Sequence, residues 1–463
     1  MRSFSIKKSW LITLSFFIVL VIACFSCTKI DNGNAIGTGD LSSAMADPER
    51  PNIIMILIDD VGYEIPQYTG GQSYSTPAMN RLASLGMQFT HCYASAMCTP
   101  SRVSLLTGKY GFRNYKEWGI MDTTQKTIAN ILKDHGYKTC VSGKWQLSGG
   151  DAAIHKFGFD TYSVFDPFEE RDIPDEEENK YRYKNPHIYQ GDAYVPDADM
   201  QGKYSDDVFV RYAAEFMKRN QTNPFFIYFS FSECHKPFSP SPSNPDYAAW
   251  QPLSDTPNKK YFPDMVSYMD SKISNIVNAV NGLSLQSNTY IFVFADNGTP
   301  PDIVSKYNGR AIRGGKTFTN EFGVHVPLIV IGPSIQPNSV CRNIVDFTDF
   351  MPTIASLAKV PKEDWPNYGI MDGQTFHTQL LGTGTTTRTS SYTYYFPNSR
   401  LPLLNRIYVQ DTTYKLYDIT NNNNFYNLQI DSLEQFPIPD TLLTARERAI
   451  KRGFQSILAR MHN

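Results

Sequence analysis

Three kinds of apolar pattern follow one another along the chain. A first run, Trp10 to Ala23, is almost unbroken and follows Arg2, Lys7 and Lys8, which is the layout of an export signal with a charged n-region and a greasy h-region. From Thr28 to Arg50 apolar periodicity disappears into Asn, Gly, Ser, Thr and Asp, so residues 28–50 read as a flexible tether. Short apolar runs then recur without the alternation of a half-exposed strand: Ile53 to Ile58, Tyr137 to Val141, Phe225 to Phe231, Tyr290 to Phe294 and Val326 to Ile331. Such runs fit parallel strands covered by helices on both faces. Between them Met265, Met269, Ile273, Ile276, Val277 and Val280 recur at helical spacing, and this alternation of strand and helix predicts an α/β sandwich. Near the end of the chain Ile450, Phe454, Ile457, Leu458 and Met461 predict a closing helix, with Thr444 and Glu447 as its capping box.

Composition narrows the function. With 43 Lys+Arg against 45 Asp+Glu, the 463-residue chain carries a net charge of −2, which argues against nucleic acid as a partner because phosphate binding needs a basic face. Seven cysteines, an odd number, ask for separate explanations. Val21-Ile22-Ala23-Cys24 resembles a bacterial lipobox, and Ser26-Cys27 offers a second version. Residues 1–27 are therefore expected to be a lipoprotein-type signal peptide, with the protein exported to the periplasm or outer membrane and held there by a lipid on Cys24 or Cys27. An uncleaved anchor is the alternative, since the run is near the lower spanning limit of roughly 17 residues. Cys92, Cys140, Cys234 and Cys341 read as buried thiols.

In α/β sheets ligands bind at the carboxyl ends of strands, so the residues just past each run are a test of function. The first run stops at Asp59-Asp60, another at Glu233-Cys234-His235, and a third at Asp296-Asn297-Gly298, while Tyr137 to Val141 leads into Gly143-Lys144-Trp145-Gln146. Each alone also reads as ordinary turn chemistry. Together, three carboxylates and an amide oxygen form a hard, oxygen-only set suited to Ca²⁺ or Mg²⁺ rather than Zn²⁺. Beside Lys144, Lys316 and Arg102 such a cation makes an electropositive pocket, and the expected substrate is an oxyanion.

The stretch Cys98-Thr99-Pro100-Ser101-Arg102, followed by Leu105-Leu106-Thr107-Gly108, places a proline in the first turn of a helix and a glycine at its end. Cys98 then sits at the helix mouth, where free N–H groups favour an anion. Spacing leaves open whether it is a buried thiol, a thiolate nucleophile or something else.

The C-x-P-S-R and L-L-T-G signature resembles that of the formylglycine-dependent sulfatases of the alkaline phosphatase superfamily. Supporting matches run in family order: Asp59-Asp60-Val61-Gly62-Tyr63, Gly143-Lys144-Trp145, His235 with Pro237, Asp296-Asn297-Gly298, Gly315-Lys316 with Glu321 and Gly323, Asp349-Phe350-Met351-Pro352-Thr353 and Asp372-Gly373. Tyr414-Lys415-Leu416-Tyr417-Asp418 resembles a strand of the family's small C-terminal sheet. The resemblance implies a large mixed, mainly parallel sheet sandwiched by helices, alkaline phosphatase-like, with a small C-terminal α+β domain carrying an antiparallel sheet. It implies that a maturation enzyme oxidises Cys98 to formylglycine, whose hydrated aldehyde is the nucleophile. Ca²⁺, in preference to Mg²⁺, is implied at Asp59, Asp60, Asp296 and Asn297. Arg102 would orient the nucleophile, Lys144 and Lys316 would neutralise sulfate oxygens, and His235 would protonate the leaving oxygen. The implied substrate is a sulfated glycan or another sulfate ester.

Two positions depart from the family pattern. Gln146 stands where Gly-Lys-Trp-His is usual, and an amide cannot take a proton near neutral pH, so either another base, with His155, His91 or a carboxylate as candidates, serves when the intermediate collapses or turnover is slow. His325 stands where Arg is common, with a packing or orientation change expected. A phosphoester hydrolase of the same superfamily and a non-catalytic binder of sulfated glycans are the alternatives. The domain expectation is a catalytic domain over 51–381, a linker over 382–391 and a small sheet-plus-helix domain over 392–463. Phe165 to Gln201, with the acidic run Asp175 to Glu178, reads either as a substrate-framing insertion or as a solvated loop.

Overall fold

The computed structural model describes residues 50–147, 150–165, 179–365, 370–384, 388–397 and 402–461. The expected signal peptide, nearly all of the tether and the acidic run Asp175 to Glu178 lie outside the described residues. The strands are, in chain order, β1 (Asn52–Ile58), β2 (Met87–Tyr93), β3 (Tyr115–Glu117), β4 (Ile120–Met121), β5 (Lys138–Lys144), β6 (Thr161–Phe165), β7 (Tyr189–Gln190), β8 (Phe225–Ser230), β9 (Thr289–Ala295), β10 (Val304–Tyr307), β11 (Arg310–Arg313), β12 (His325–Ile331), β13 (Ser339–Asp346), β14 (Ser391–Tyr395), β15 (Arg406–Gln410), β16 (Tyr414–Tyr417) and β17 (Phe425–Asn427).

Nine of them form one sheet in the order β13-β2-β12-β9-β1-β8-β5-β6-β7. At its centre β9, β1, β8, β5 and β6 are mutually parallel, and every residue of β1, β8 and β9 is buried. That explains their unbroken apolar runs, since a strand covered on both faces has no polar side. The run Val326 to Ile331 carries the same pattern but differs in direction, because β12 is antiparallel to both β2 and β9. Two-sided burial imposes apolar residues whichever way a strand points, so direction was not readable from the pattern. The predicted helix spans Phe262–Gly282 and buries Met265, Met269, Ile273, Ile276 and Val280.

The second part of the 165–201 segment is not a solvated loop. β7 pairs antiparallel with β6 at the sheet edge, and Tyr183, Ile188, Tyr189 and Met200 are buried. β14 to β17 form an antiparallel four-stranded meander. The closing helix Ala445–Met461 packs Phe454 and Leu458 against Val409, Leu416 and Phe425 of this meander, in a cluster that also takes in Tyr110. Its capping box is present: Thr444 N–H donates to Glu447 Oε2 at 2.8 Å and Glu447 N–H to Thr444 Oγ1 at 3.2 Å. Cys92, Cys98, Cys140, Cys234 and Cys341 are buried free thiols. Among the described residues no helix is long and apolar enough to cross a membrane.

Candidate active site

The chemistry collects at one edge of the large sheet because parallel strands all end there. β1 delivers Asp59 and Asp60, β9 delivers Asp296 and Asn297, β8 leads to His235, and β5 ends on Lys144. Backbone bonds extend the ladder past the strands and fix these ends: Asp59 N–H donates to Glu233 O at 3.2 Å, and Asp296 N–H to Ile58 O at 3.0 Å. The helix Cys98–Thr107 begins on Cys98 and closes at Gly108, whose φ of +68° suits glycine. Arg102, four residues after Cys98, lies on the same helix face. Lys316 is held by a bond from its N–H to Thr299 O at 2.9 Å, and the next residue, Thr317, bonds Ala96 O at 2.8 Å, just before Cys98.

Three acid–base pairs surround the Cys98 thiol. Lys144 Nζ lies 2.6 Å from Asp59 Oδ2, Lys316 Nζ lies 2.6 and 2.7 Å from the two Asp60 oxygens, and Arg102 Nη2 lies 2.9 Å from Asp296 Oδ2. Cys98 Sγ donates to Asp59 Oδ1 at 3.3 Å and receives Lys144 Nζ at 3.6 Å. Arg102 is wholly buried, and its Nη1 also donates to Ser230 Oγ at 2.6 Å and to Lys144 O at 3.0 Å, so the guanidinium has one available orientation. Asn297 Nδ2 donates to Asp60 Oδ1 at 2.8 Å while its Oδ1 is buried with no partner. His235 Nδ1 bonds the Lys236 carbonyl, which can only accept, so the ring carries its proton on Nδ1. Its Nε2 is then a bare acceptor, 3.9 Å from Asp60 Oδ2.

Burial and charge set the protonation states. Burial by itself would raise the Asp59 carboxyl, yet Lys144, His235, Arg102 and Lys316 hold it far below the usual carboxylate range. Asp60 and Asp296 go the other way, pushed up by burial and by repulsion from Asp59 despite their own cations. Burial, then Lys316 and Lys144, push His235 well below the usual imidazole range, so it is neutral at neutral pH. Burial, then Asp296 and Asp59, push the Cys98 thiol well up. A buried thiol facing carboxylates is disfavoured as a thiolate nucleophile.

Asp59, Asp60, Cys98 and Asp296 offer ligand atoms all within 4.8 Å of one another. Three converging carboxylates, two of them disfavoured as charged groups, and an amide oxygen without a partner among the described residues are a set that fits a hard divalent cation. Rotating the Asn297 amide by half a turn brings its oxygen to the Asp60 side of that cluster.

Asp59, Asp60, Cys98, Arg102, Lys144, His235, Asp296, Asn297 and Lys316 are thus brought together. Gln146 is buried two residues past Lys144, with φ +55° and an Oε1 that has no partner among the described residues. Neither histidine considered as its substitute lies among these residues. His155 bonds Phe159 O on a helix behind β6, and His91 lies beside His325 on the far flank of the sheet. His325 packs on Tyr63, ring centroids 3.9 Å apart and 16° from coplanar, and its Nε2 reaches Thr90 O at 2.9 Å. Ser230, which holds Arg102, carried no signal because serines end many strands. Arg182, buried at 3% exposure, carried none because what distinguishes it is that its Nε and Nη1 lack partners among the described residues.

A helix-flanked mixed sheet with a cationic, oxygen-rich cluster at its carboxyl edge defines a hydrolase of oxyanion esters built on the alkaline phosphatase plan. The chain belongs to the sulfatase family, whose model matches residues 51–360, and it is accordingly a sulfuric ester hydrolase. It is 29% identical over 451 residues to the N-acetylgalactosamine-6-O-sulfatase of Bacteroides thetaiotaomicron, covering 80% of this chain and 82% of that protein. With arylsulfatase A of Bos taurus it shares 28% over 381 residues, 76% of this chain and 72% of the relative. Among solved structures, Ps i-CgsB in complex with k-i-k-neocarrahexaose superposes with a TM-score of 0.70 at 21% identity, covering 89% of this chain and 92% of that one.

Proposed function

We propose that this chain removes sulfate from a sulfated carbohydrate, with Cys98 converted to formylglycine and Ca²⁺ held by Asp59, Asp60, Asp296 and Asn297. The observation that carries the reading is the placement of Cys98 at a helix mouth, in contact with Asp59 and Lys144 and beside Lys316. Burial and the neighbouring carboxylates disfavour the thiolate there, and oxidation by a maturation enzyme to an aldehyde, which hydrates to a geminal diol, would supply a hydroxyl nucleophile at that position. A cation bound by the four oxygen ligands would polarise a sulfate oxygen and favour the ionised hydroxyl.

The remaining steps belong to the chain's own side chains. Lys144 and Lys316, now paired to Asp59 and Asp60, are placed to exchange those contacts for sulfate oxygens, which is electrostatic stabilisation in a water-poor site. Arg102 keeps the Cys98 region in register. His235 offers Nε2 to the ester oxygen. Because Nδ1 already carries a proton, Nε2 must be protonated before it can act as acid, and the approaching anion favours that. Gln146 can hydrogen-bond but not accept a proton, so the expulsion of sulfate relies on another acceptor.

Sulfated carbohydrate as substrate is supported by the sulfatase relatives and the neighbour in complex with k-i-k-neocarrahexaose. Export as a lipoprotein, through Cys24 or Cys27, remains part of the proposal and rests on the signal-like run alone. The test is release of inorganic anion from matched sulfate and phosphate esters of the same sugars. Sulfate release is expected, at a kcat/KM exceeding phosphate release by at least tenfold. The reverse preference would make the chain a phosphoester hydrolase, and binding without release would make it a glycan binder.

A further inference from the structure

Among the described residues the His235 ring makes a single hydrogen bond, from Nδ1 to the carbonyl of the next residue, Lys236. The imidazole is therefore aimed by the backbone of residues 235 and 236 and by no other side chain. His235 also lines a cleft of about 670 Å³, so a leaving group seated there would meet whatever orientation that backbone imposes.

The turn that carries His235 is closed from outside. Its own closing bond, His235 N–H to Ser232 O, is long at 3.4 Å. Tyr183, 2% exposed and contributed by the segment that leads into β7, donates its hydroxyl to Ser232 O at 2.8 Å and to His235 O. A phenol has one hydrogen to give, so that hydrogen is shared between the two ends of the turn. Among the described residues His235 O has no other donor.

Tyr183 is itself held. Its carbonyl accepts from Ser205 N–H at 2.9 Å, and its ring stacks on Tyr204, centroids 5.7 Å apart and 17° from coplanar. Tyr204, 1% exposed, donates its hydroxyl to Glu233 Oε1 at 2.6 Å, inside the same turn. From the opposite side Cys234 N–H bonds Asp59 O at 2.9 Å, which ties the turn to the end of β1. The turn thus stands between the oxygen cluster and a pair of stacked tyrosines.

A group that passes a proton must stand within hydrogen-bond reach of the atom that takes it, and a misplacement of about 1 Å costs on the order of a hundredfold in rate. Rotating the peptide between residues 235 and 236 moves both the imidazole and the carbonyl that holds it. Without the Tyr183 hydroxyl, His235 O is left buried with no donor, and that peptide is free to turn toward water.

We propose that Tyr183, backed by Tyr204, is a positioning residue for the reaction, setting where His235 Nε2 stands relative to the leaving oxygen. This role presupposes the sulfatase reading above and deepens it, because it gives the segment before β7 a task in the chemistry. As the ester S–O bond breaks, its electron pair stays on the sugar oxygen, which takes the proton from Nε2, while sulfur is bonded to the oxygen of the nucleophile. Tyr183 touches none of these atoms and exchanges no proton. Its contribution therefore scales with how much the leaving oxygen needs a proton: a sugar alkoxide is strongly basic, whereas a nitrophenolate leaves unaided.

The experiment compares matured wild-type enzyme and Tyr183→Phe on a sulfated sugar and on 4-nitrophenyl sulfate. On the sugar ester Tyr183→Phe is expected to lower kcat by about ten- to hundredfold with KM within about threefold, and on the nitrophenyl ester to lower kcat by less than about threefold. Replacing Tyr183 by 4-aminophenylalanine, which keeps a donor at the ring tip, should restore most of the sugar-ester rate. A loss equal on both esters, a loss confined to KM, or an undiminished sugar-ester rate in Tyr183→Phe would overturn the proposal. Should Tyr183→Phe fail to fold, Tyr204→Phe carries the same comparison: a loss selective for the sugar ester upholds the clamp, and an equal loss or none refutes it. If wild-type protein releases sulfate from neither ester, the sulfatase reading fails, and nitrogen NMR of the His235 ring decides the positioning by itself. One sharp signal of the Nδ1-protonated ring in wild-type protein, broadened or mixed in Tyr183→Phe, upholds it, and identical signals in both refute it.

Discussion

Asp59, Asp60 and Asp296 each face one cation, and the arrangement is balanced before any substrate or metal arrives. That balance explains how six fully or largely buried charges coexist, since removing one member of such a pair strands the other. Glu64 has no such partner. Among the described residues both of its oxygens are buried without a hydrogen bond of good geometry, and burial, only partly offset by nearby Thr299, pushes its carboxyl up to about 7 from an ordinary 4.5. Below pH 4.5 the group is protonated in both folded and unfolded chains and costs nothing. As pH rises toward 7 the unfolded chain ionises while the folded one resists, so stability falls by up to about 3 kcal/mol and stays reduced above pH 7. Glu64→Gln is therefore expected to raise the denaturation midpoint at pH 8 and to leave it nearly unchanged at pH 4.5, as thermal unfolding at both pH values would show. At this scale the sequence was informative where chemistry is contiguous, as in Asp59-Asp60, Asp296-Asn297 and Cys98 to Arg102. It was silent on Glu64, whose meaning lies in its burial away from any cation among the described residues. It also put His91 and His155 forward as bases on residue type alone, and packing places them elsewhere.

Elements position this chemistry through close backbone approach. Gly143 has φ +112°, and a Cβ there would lie 1.7 Å from Ser230 O on β8. Gly143→Ala must push β5 from β8 and displace Lys144, so a loss of about 3 kcal/mol or more is expected in denaturant unfolding. Gly453, inside the closing helix with nothing within 4 Å of its would-be Cβ, behaves oppositely. Gly453→Ala is expected to stabilise by about 0.5–1 kcal/mol, because it only removes backbone freedom from the unfolded chain. The element types were legible because burial on both faces, helical periodicity and a capping box each leave a local trace. The reversal of β12 left none, because Val326 to Ile331 are apolar for the same reason in either direction. For the same reason the pairing of β7 with β6 could not be foreseen from the tyrosine-rich segment around Tyr189.

For the molecule as a whole, a net charge near zero conceals strong local order: cations and carboxylates concentrate at one sheet edge. The cluster of Asp59, Asp60, Asp296 and Asn297 joins the ends of two central strands, so a cation there would bind the folded chain and not the unfolded one. Chelation of the matured enzyme is expected to lower both the unfolding temperature and sulfate release, with Ca²⁺ restoring both more fully than Mg²⁺; unchanged unfolding in chelator would remove the metal from the account. The most direct test concerns Cys98 itself. Mass analysis of the peptide containing Cys98, from protein made alongside a maturation enzyme, should show the thiol side chain replaced by an aldehyde in a fraction that tracks specific sulfate-releasing activity. A fully active preparation whose Cys98 is entirely thiol would contradict the account.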